Sequence, residues 1–125
     1  MNIFVNILLE AIQPQTKEGG ISMKRVVKGK VVDTARMEKL ASVEYGSIMD
    51  YGYCWETLYW NPDTKEFYLH GKGGAASRYR EAVGMNQWAE GEALMRYSKE
   101  KVLDWLERNQ IDVTERIEQL LEEAE

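Results

Sequence analysis

The stretch Glu56–Gly74, ETLYWNPDTKEFYLHGKGG, constrains the fold more than any other part of the chain. Leu58 and Trp60 alternate with Thr57 and Tyr59, and Phe67 and Leu69 alternate with Tyr68 and His70. Side chains two apart share a face of a strand. Two strands folded onto each other therefore bring Leu58, Trp60, Phe67 and Leu69 to one apolar side. Asn61-Pro62-Asp63 supplies the turn, because proline presets φ and Asn and Asp bond their own backbone. The cluster Gly71–Gly74 is expected to end the second strand in a turn. It matches neither the G-x-x-x-x-G-K-[ST] loop nor G-x-G-x-x-G opening a helix, so it carries no phosphate-binding expectation.

The rest of the chain falls in place around this hairpin. Lys24–Val32, KRVVKGKVV, has β-branched pairs around Gly29 and reads as a strand pair or one bulged strand. Its four basic residues fit either a nucleic-acid patch or the charged decoration that keeps an edge strand from aggregating. Asp33 or Thr34 can cap a helix over Thr34–Val43, where Met37, Leu40 and Ala41 stand at i, i+3 and i+4. Gly46–Tyr53 reads as a loop. Ala75–Gly91 reads as a long irregular stretch with one helical turn within Ala75–Val83, and such stretches in compact domains are often functional. Glu92–Tyr97 is expected to be a final strand. Ser98 caps a helix with Val102, Leu103, Trp105 and Leu106 on its apolar side. Asp112 with Glu115 reads as a capping box for a last helix bearing Val113, Ile117, Leu120 and Leu121. The expected class is thus α+β: a small antiparallel sheet built on the central hairpin, one short helix after the first strand, and two C-terminal helices.

Three regions follow. Residues 23–97 form the α+β core, and residues 98–125 form acidic helices that pack on the core or on a partner. Residues 1–22 are an N-terminal extension. Met1–Ile12 is apolar but lacks a basic start, and it is shorter than the about 20 residues a spanning helix needs. It suits a strand or a short amphipathic helix. Lys17-Glu18-Gly19-Gly20 can be encoded by a run containing AAGGAGG, a strong bacterial ribosome-binding sequence, spaced suitably before Met23. The expectation is a natural start at Met23, against an ordinary N-terminal arm with a Gly-Gly linker. The mass of protein made from its native locus decides between them, and a full-length mass as the main species contradicts the Met23 start.

Charge separates function classes. Net charge is −5, and the segment 98–125 holds four Lys/Arg against nine Asp/Glu, so the acidity lies at the C-terminal end. That argues against nonspecific nucleic-acid binding by the whole surface and suits a basic partner, including a protein that itself holds nucleic acid. One cysteine, Cys54, and one histidine, His70, disfavour a zinc site and make an internal disulfide impossible. Cys54 reads as a small buried hydrophobe and His70 as structural, so neither a nucleophile–base pair nor an enzyme is expected. Glu90 and Glu92 have no metal-ligand spacing. No cofactor and no metal are expected, and the reducing bacterial cytoplasm is the expected compartment.

The aromatics concentrate between Tyr45 and Tyr97. Tyr59, Tyr68, Tyr79 and Trp88 are candidates for an exposed face, beside Lys72, Arg78 and Arg80. Tyr, Trp and Arg dominate protein hot spots, and the same grouping suits bases and phosphates. The competing expectation is that most of these rings are core. The candidate binding residues are Lys72, Arg78, Tyr79, Arg80 and Trp88, with Glu115, Glu118 and Glu122 on the last helix.

Val32-Asp33-Thr34, Glu56-Thr57-Leu58-Tyr59, Phe67-Tyr68-Leu69-His70-Gly71-Lys72-Gly73-Gly74, Ser77-Arg78-Tyr79 and Trp88-Ala89-Glu90-Gly91-Glu92 together resemble a family. Its members are short proteins carried by plasmids, integrative elements and phages of Gram-positive bacteria. Some resemble, or sit among, anti-CRISPR inhibitors of type II RNA-guided nucleases. The resemblance covers about residues 24–108 and carries no catalytic signature. Two departures stand out. Asn61-Pro62-Asp63-Thr64-Lys65 replaces the usual glycine of the hairpin turn, and Trp88-Ala89-Glu90-Gly91-Glu92 replaces W-x-G-G-E, which bears on any function needing the double glycine. The resemblance implies an inhibitor that binds a CRISPR effector nuclease, its guide RNA or their ribonucleoprotein, as a monomer or homodimer and without a membrane partner. The acidic helices suit a basic nucleic-acid channel. The alternative is a nucleic-acid-binding accessory or regulatory protein of a mobile element.

Overall fold

The computed structural model describes residues 3–7, 23–47 and 49–124. It is a mixed fold with antiparallel sheets and two C-terminal helices. Five strands form the central sheet: β1 (Ile3–Ile7), β4 (Glu38–Tyr45), β5 (Cys54–Asn61), β6 (Glu66–Gly73) and β9 (Gly91–Tyr97), in the order β1-β4-β5-β6-β9. Two ribbons stand apart from it, β2 (Lys24–Val27) with β3 (Lys30–Asp33), and β7 (Glu81–Gly84) with β8 (Gln87–Ala89). The helices are α1 (Lys99–Arg108) and α2 (Glu115–Glu123).

The central hairpin folds in the register its alternation dictates, Leu58 opposite Leu69 and Trp60 opposite Phe67. Asn61 ties the turn, its Oδ1 accepting from the Asp63 N–H at 3.0 Å and its carbonyl from Lys65 at 2.8 Å. The face carrying these residues packs against α1 and α2 through Val102, Trp105, Leu106, Ile117 and Leu120, all buried. Ser98 caps α1 by accepting from Lys101. α2 is capped by Thr114, which accepts from Ile117 at 3.2 Å, rather than by an Asp112–Glu115 box. On the other face Tyr59, Tyr68 and Leu94 are covered by Met23, Val32 and Met37, so β2–β3 forms a third layer.

The expected helix over Thr34–Val43 is absent. Asp33 does cap, accepting from Ala35 at 3.0 Å, but only a 3₁₀ turn follows over Thr34–Arg36 before β4 begins. Pairing of β4 with β5 outcompetes the local propensity. The register shifts between Lys39 and Ala41, and this bulge turns both Leu40 and Ala41 into the helix-side core. Two adjacent buried residues after buried Met37 imitate helical spacing.

Two other expectations are corrected. Gly71 and Gly73 lie inside β6 rather than in a turn. Ala75–Gly91 holds the β7–β8 hairpin and not a helical turn, with the left-handed φ of 57° at its tip taken by Asn86. Within the N-terminal extension, Ile3–Ile7 is an edge strand pairing Ile3 with Tyr45 through Ile7 with Ala41. Lys17–Ser22, on which the Met23 start rests, lies outside the described residues, as does Glu125.

Candidate functional site

Alternation along β5 puts Cys54, Glu56, Leu58 and Trp60 on one side, so a carboxylate points into the helix-side core. Glu56 is 2% exposed. Burying a charge without partners is prohibitive, so donors must converge on it. Oε1 accepts from Trp105 Nε1–H of α1 at 2.9 Å and from the Tyr45 hydroxyl of β4 at 3.1 Å. Oε2 accepts from the Tyr79 hydroxyl, with Arg78 Nη1 3.5 Å away. The Tyr45 hydroxyl also faces Asn109 Oδ1 and has one proton to share between the two acceptors. Arg78 lies 5.0 Å above the Tyr45 ring and is about half exposed, so it delivers charge from the rim. Burial, then the Glu56 charge, lifts the Tyr45 phenol to about 12, and burial with the Glu56 hydrogen bond raises Tyr79 further. These phenols remain neutral donors.

The glycines explain how the Ser77–Tyr79 loop reaches Glu56. A Cβ on Gly71 would sit 2.0 Å from Tyr79 Cζ, and one on Gly73 2.2 Å from Ser77 Oγ. A Cβ on Gly91 would meet the Tyr79 carbonyl. The glycines let the loop lie directly on the sheet. Ser77 closes it, donating to the Gly74 carbonyl at 2.7 Å and accepting from Tyr79 N–H at 3.2 Å. Glu56, Gly71, Gly73, Ser77, Arg78, Tyr79 and Gly91, scattered in sequence, are thus one structural knot.

Across the sheet, His70 is fully buried with Nε2 2.7 Å from Glu92 Oε2, and the Trp55 ring stands edge-on at 4.9 Å. Its Nδ1 has no partner among the described residues. Burial lowers its pKa despite Glu92, so the ring is neutral and Nε2–H donates. Burial raises the Cys54 thiol, against a nucleophilic role. Among the described residues no group of three or more His, Cys, Asp or Glu is placed to hold a metal, and no helix is long and apolar enough to cross a membrane.

The knot anchors an arm. Arg80 follows Tyr79, donates to the Ser77 carbonyl at 3.3 Å and lies 4.6 Å from the centre of the Trp88 ring. From there β7–β8 projects with Val83, Met85 and Trp88 exposed at 60, 91 and 51%. The 46–53 loop meets the same end of the sheet, because Tyr51 accepts from Ala76 N–H at 2.9 Å, and it exposes Met49 and Tyr51. Arm and loop together thus expose five large apolar side chains among the described residues.

Among the sequence candidates, Arg78 and Tyr79 meet at Glu56 and Arg80 and Trp88 form the root of the arm. Tyr79 is buried and committed to Glu56, as Tyr59 and Tyr68 are to the second core. Lys72 is exposed on the opposite sheet face, opposite Trp55 and Glu92. Glu115, Glu118 and Glu122 are exposed on α2, which Arg116 ties to Glu38 at 2.7 Å, toward the far end of the sheet from the arm. The candidates therefore form separate surfaces. Met85, Val83, Met49 and Tyr51 were not expected from sequence; no period marks them. Glu56 was not expected either, although a charge in the apolar register of Leu58 and Trp60 was a signal that could have found it. Comparison with protein-family models, curated proteins and solved structures finds no match to the chain.

Proposed function

We propose that the chain is a mobile-element inhibitor that acts in the bacterial cytoplasm by binding a type II RNA-guided nuclease or its guide-RNA complex, with no catalysis of its own. The observation that carries this reading is the β7–β8 arm, whose exposed Val83, Met85 and Trp88 are offered from a root tied down by Arg80 and Tyr79. Arginine stacked on an exposed tryptophan is the composition of a protein hot spot, and methionine is enriched at interfaces. The family resemblance supplies the identity of the partner. The exposed carboxylates of α2 supply a second contact suited to the Lys/Arg-lined channels that hold guide and target strands. A nucleic-acid accessory factor built on stacking tyrosines has less to support it, since Tyr59, Tyr68 and Tyr79 are buried.

The test is binding of the purified protein to a purified type II nuclease with and without guide RNA. Saturable binding is expected, weakened when Glu115, Glu118 and Glu122 are reversed to lysine. Absence of binding to either form contradicts the proposal.

A further inference from the structure

The KRVVKGKVV segment has no part in that inhibitor surface. It folds into β2–β3, closed by a tight turn with φ of 52° at Lys28 and 80° at Gly29, the left-handed pair that a two-residue hairpin requires. The inner side of the ribbon is occupied: Val32 is buried and Val27 packs beside it against Tyr59 and Tyr68. The outer side is bare. Val26 stands opposite Val31, and the two are 64 and 70% exposed. On the same side Lys24 stands opposite Asp33, and Lys28 lies in the turn; Arg25 and Lys30 belong in register to the inner side but are exposed to solvent.

Three acids belong to the ribbon or contact it. Asp33 caps the 3₁₀ turn through Ala35. Glu66 takes Arg96 at 2.7 Å and Lys30 at 3.8 Å, and Glu92 accepts from the neutral His70. Lys24, Arg25, Lys28 and Lys72 make no ion pair among the described residues; Arg25 reaches only the Glu92 carbonyl, at 3.5 Å. The acidic helices lie beyond the sheet. With layers about 10 Å apart, they are more than two Debye lengths of about 8 Å from the ribbon. The ribbon, with Lys24, Arg25, Lys28 and Lys30 against Asp33 alone, is thus locally cationic in a protein of net charge −5.

We propose that the outer face of β2–β3 binds duplex DNA by seating in the major groove. A two-stranded ribbon fits that groove, which is about 12 Å wide. The Val26–Val31 ridge meets thymine methyl groups, and Lys24 and Lys28 reach the flanking phosphates. Single strands are disfavoured because Tyr59 and Tyr68, the nearest rings, lie beneath the ribbon and offer nothing to stack on. RNA duplexes are disfavoured because their major groove is deep and narrow.

The test is fluorescence anisotropy with a labelled A·T-rich DNA duplex, the RNA duplex of the same sequence, and the single DNA strand. DNA-duplex binding is expected at low salt. The two phosphate contacts of Lys24 and Lys28 predict that it weakens roughly tenfold between about 50 and 200 mM NaCl. Lys24→Glu/Lys28→Glu is expected to lose at least tenfold, and Lys24→Gln/Lys28→Gln to lower the log–log salt slope by about two. Both pairs lie outside the core, and circular dichroism checks that they fold. Val26→Ser/Val31→Ser is expected to lose preference for A·T over G·C duplexes. No duplex binding at low salt, equal binding of the RNA duplex, or undiminished affinity in the Glu variant overturns the proposal. So does salt-sensitive self-association lost in that variant without DNA binding, which assigns the ribbon to the acidic helices of a second copy. Inhibition of the nuclease by the Glu variant is expected to be unchanged, so the two proposals fail separately.

Discussion

Gly71→Ala is the sharpest perturbation of the knot. The new methyl carbon would lie 2.0 Å from Tyr79 Cζ, 2.1 Å from its hydroxyl oxygen and 2.5 Å from Cε1. The β6 backbone is paired on both sides, with Glu56 and with Ala93, so the ring must move instead. Displacing it strains a packed core, at about 1–3 kcal/mol. It also removes a charge-assisted hydrogen bond from a buried carboxylate, about 1.5–3 kcal/mol more. A loss of roughly 3–5 kcal/mol is a large part of the about 5–15 kcal/mol that holds a domain folded. Equilibrium urea unfolding followed by tryptophan fluorescence reads this directly. With a slope near 1.5 kcal/mol/M, the midpoint should fall by about 2–3 M. The same substitution in a Tyr79→Ala background has no ring to displace, so a double-mutant cycle should return a coupling of about 2 kcal/mol or more. Additive effects, or an unmoved midpoint in the single variant, would refute the seating of Tyr79 on Gly71.

Other outcomes follow from the same contacts. Trp105→Phe keeps the buried ring but removes the Nε1 donor to Glu56, so it should cost about 1.5–3 kcal/mol in urea unfolding, far more than its change in volume alone. Tyr45, Tyr59 and Tyr68 are held up to about 12, against 10.0 in the unfolded chain. Above pH 10 the unfolded chain sheds these protons first, so stability is whole below pH 10 and falls as pH rises toward 12, which a thermal-melt series measures. At the acid end, the buried His70 refuses a proton that the unfolded chain accepts below its ordinary 6.5. Its contribution is therefore full above pH 6.5 and is lost as pH falls below it, a dependence that His70→Gln should remove.

The parts of the fold legible from sequence are those where burial imposed a period. Leu58, Trp60, Phe67 and Leu69 declared the hairpin because one face of it is core. Val102, Trp105 and Leu106, then Ile117 and Leu120, declared the helices for the same reason. β4 was hidden by its bulge, which buries Leu40 beside Ala41 and so imitates a helix. The arm was hidden because every residue of Glu81–Trp88 is exposed, and a ribbon that buries nothing has no apolar period to read. Gly71 and Gly73 read as turn residues because the reason for them, a loop pressed onto the strand from residues 77–79, is a long-range contact. Of the candidate residues, Arg80 and Trp88 stand where the proposed surface is. Tyr79 proved to be the support beneath it.

The arm beyond this support is proposed to be the part that touches a partner. Met85→Ser/Trp88→Ala alters one exposed side chain and one half-exposed ring stacked on Arg80, so its melting should match the unaltered protein within about 1 kcal/mol. The decisive measurement is DNA cleavage by a purified type II nuclease–guide complex titrated with each protein. The unaltered protein is expected to suppress cleavage, and the arm variant, still folded, to lose suppression at least tenfold. Equal suppression by both, or none by either, would contradict it.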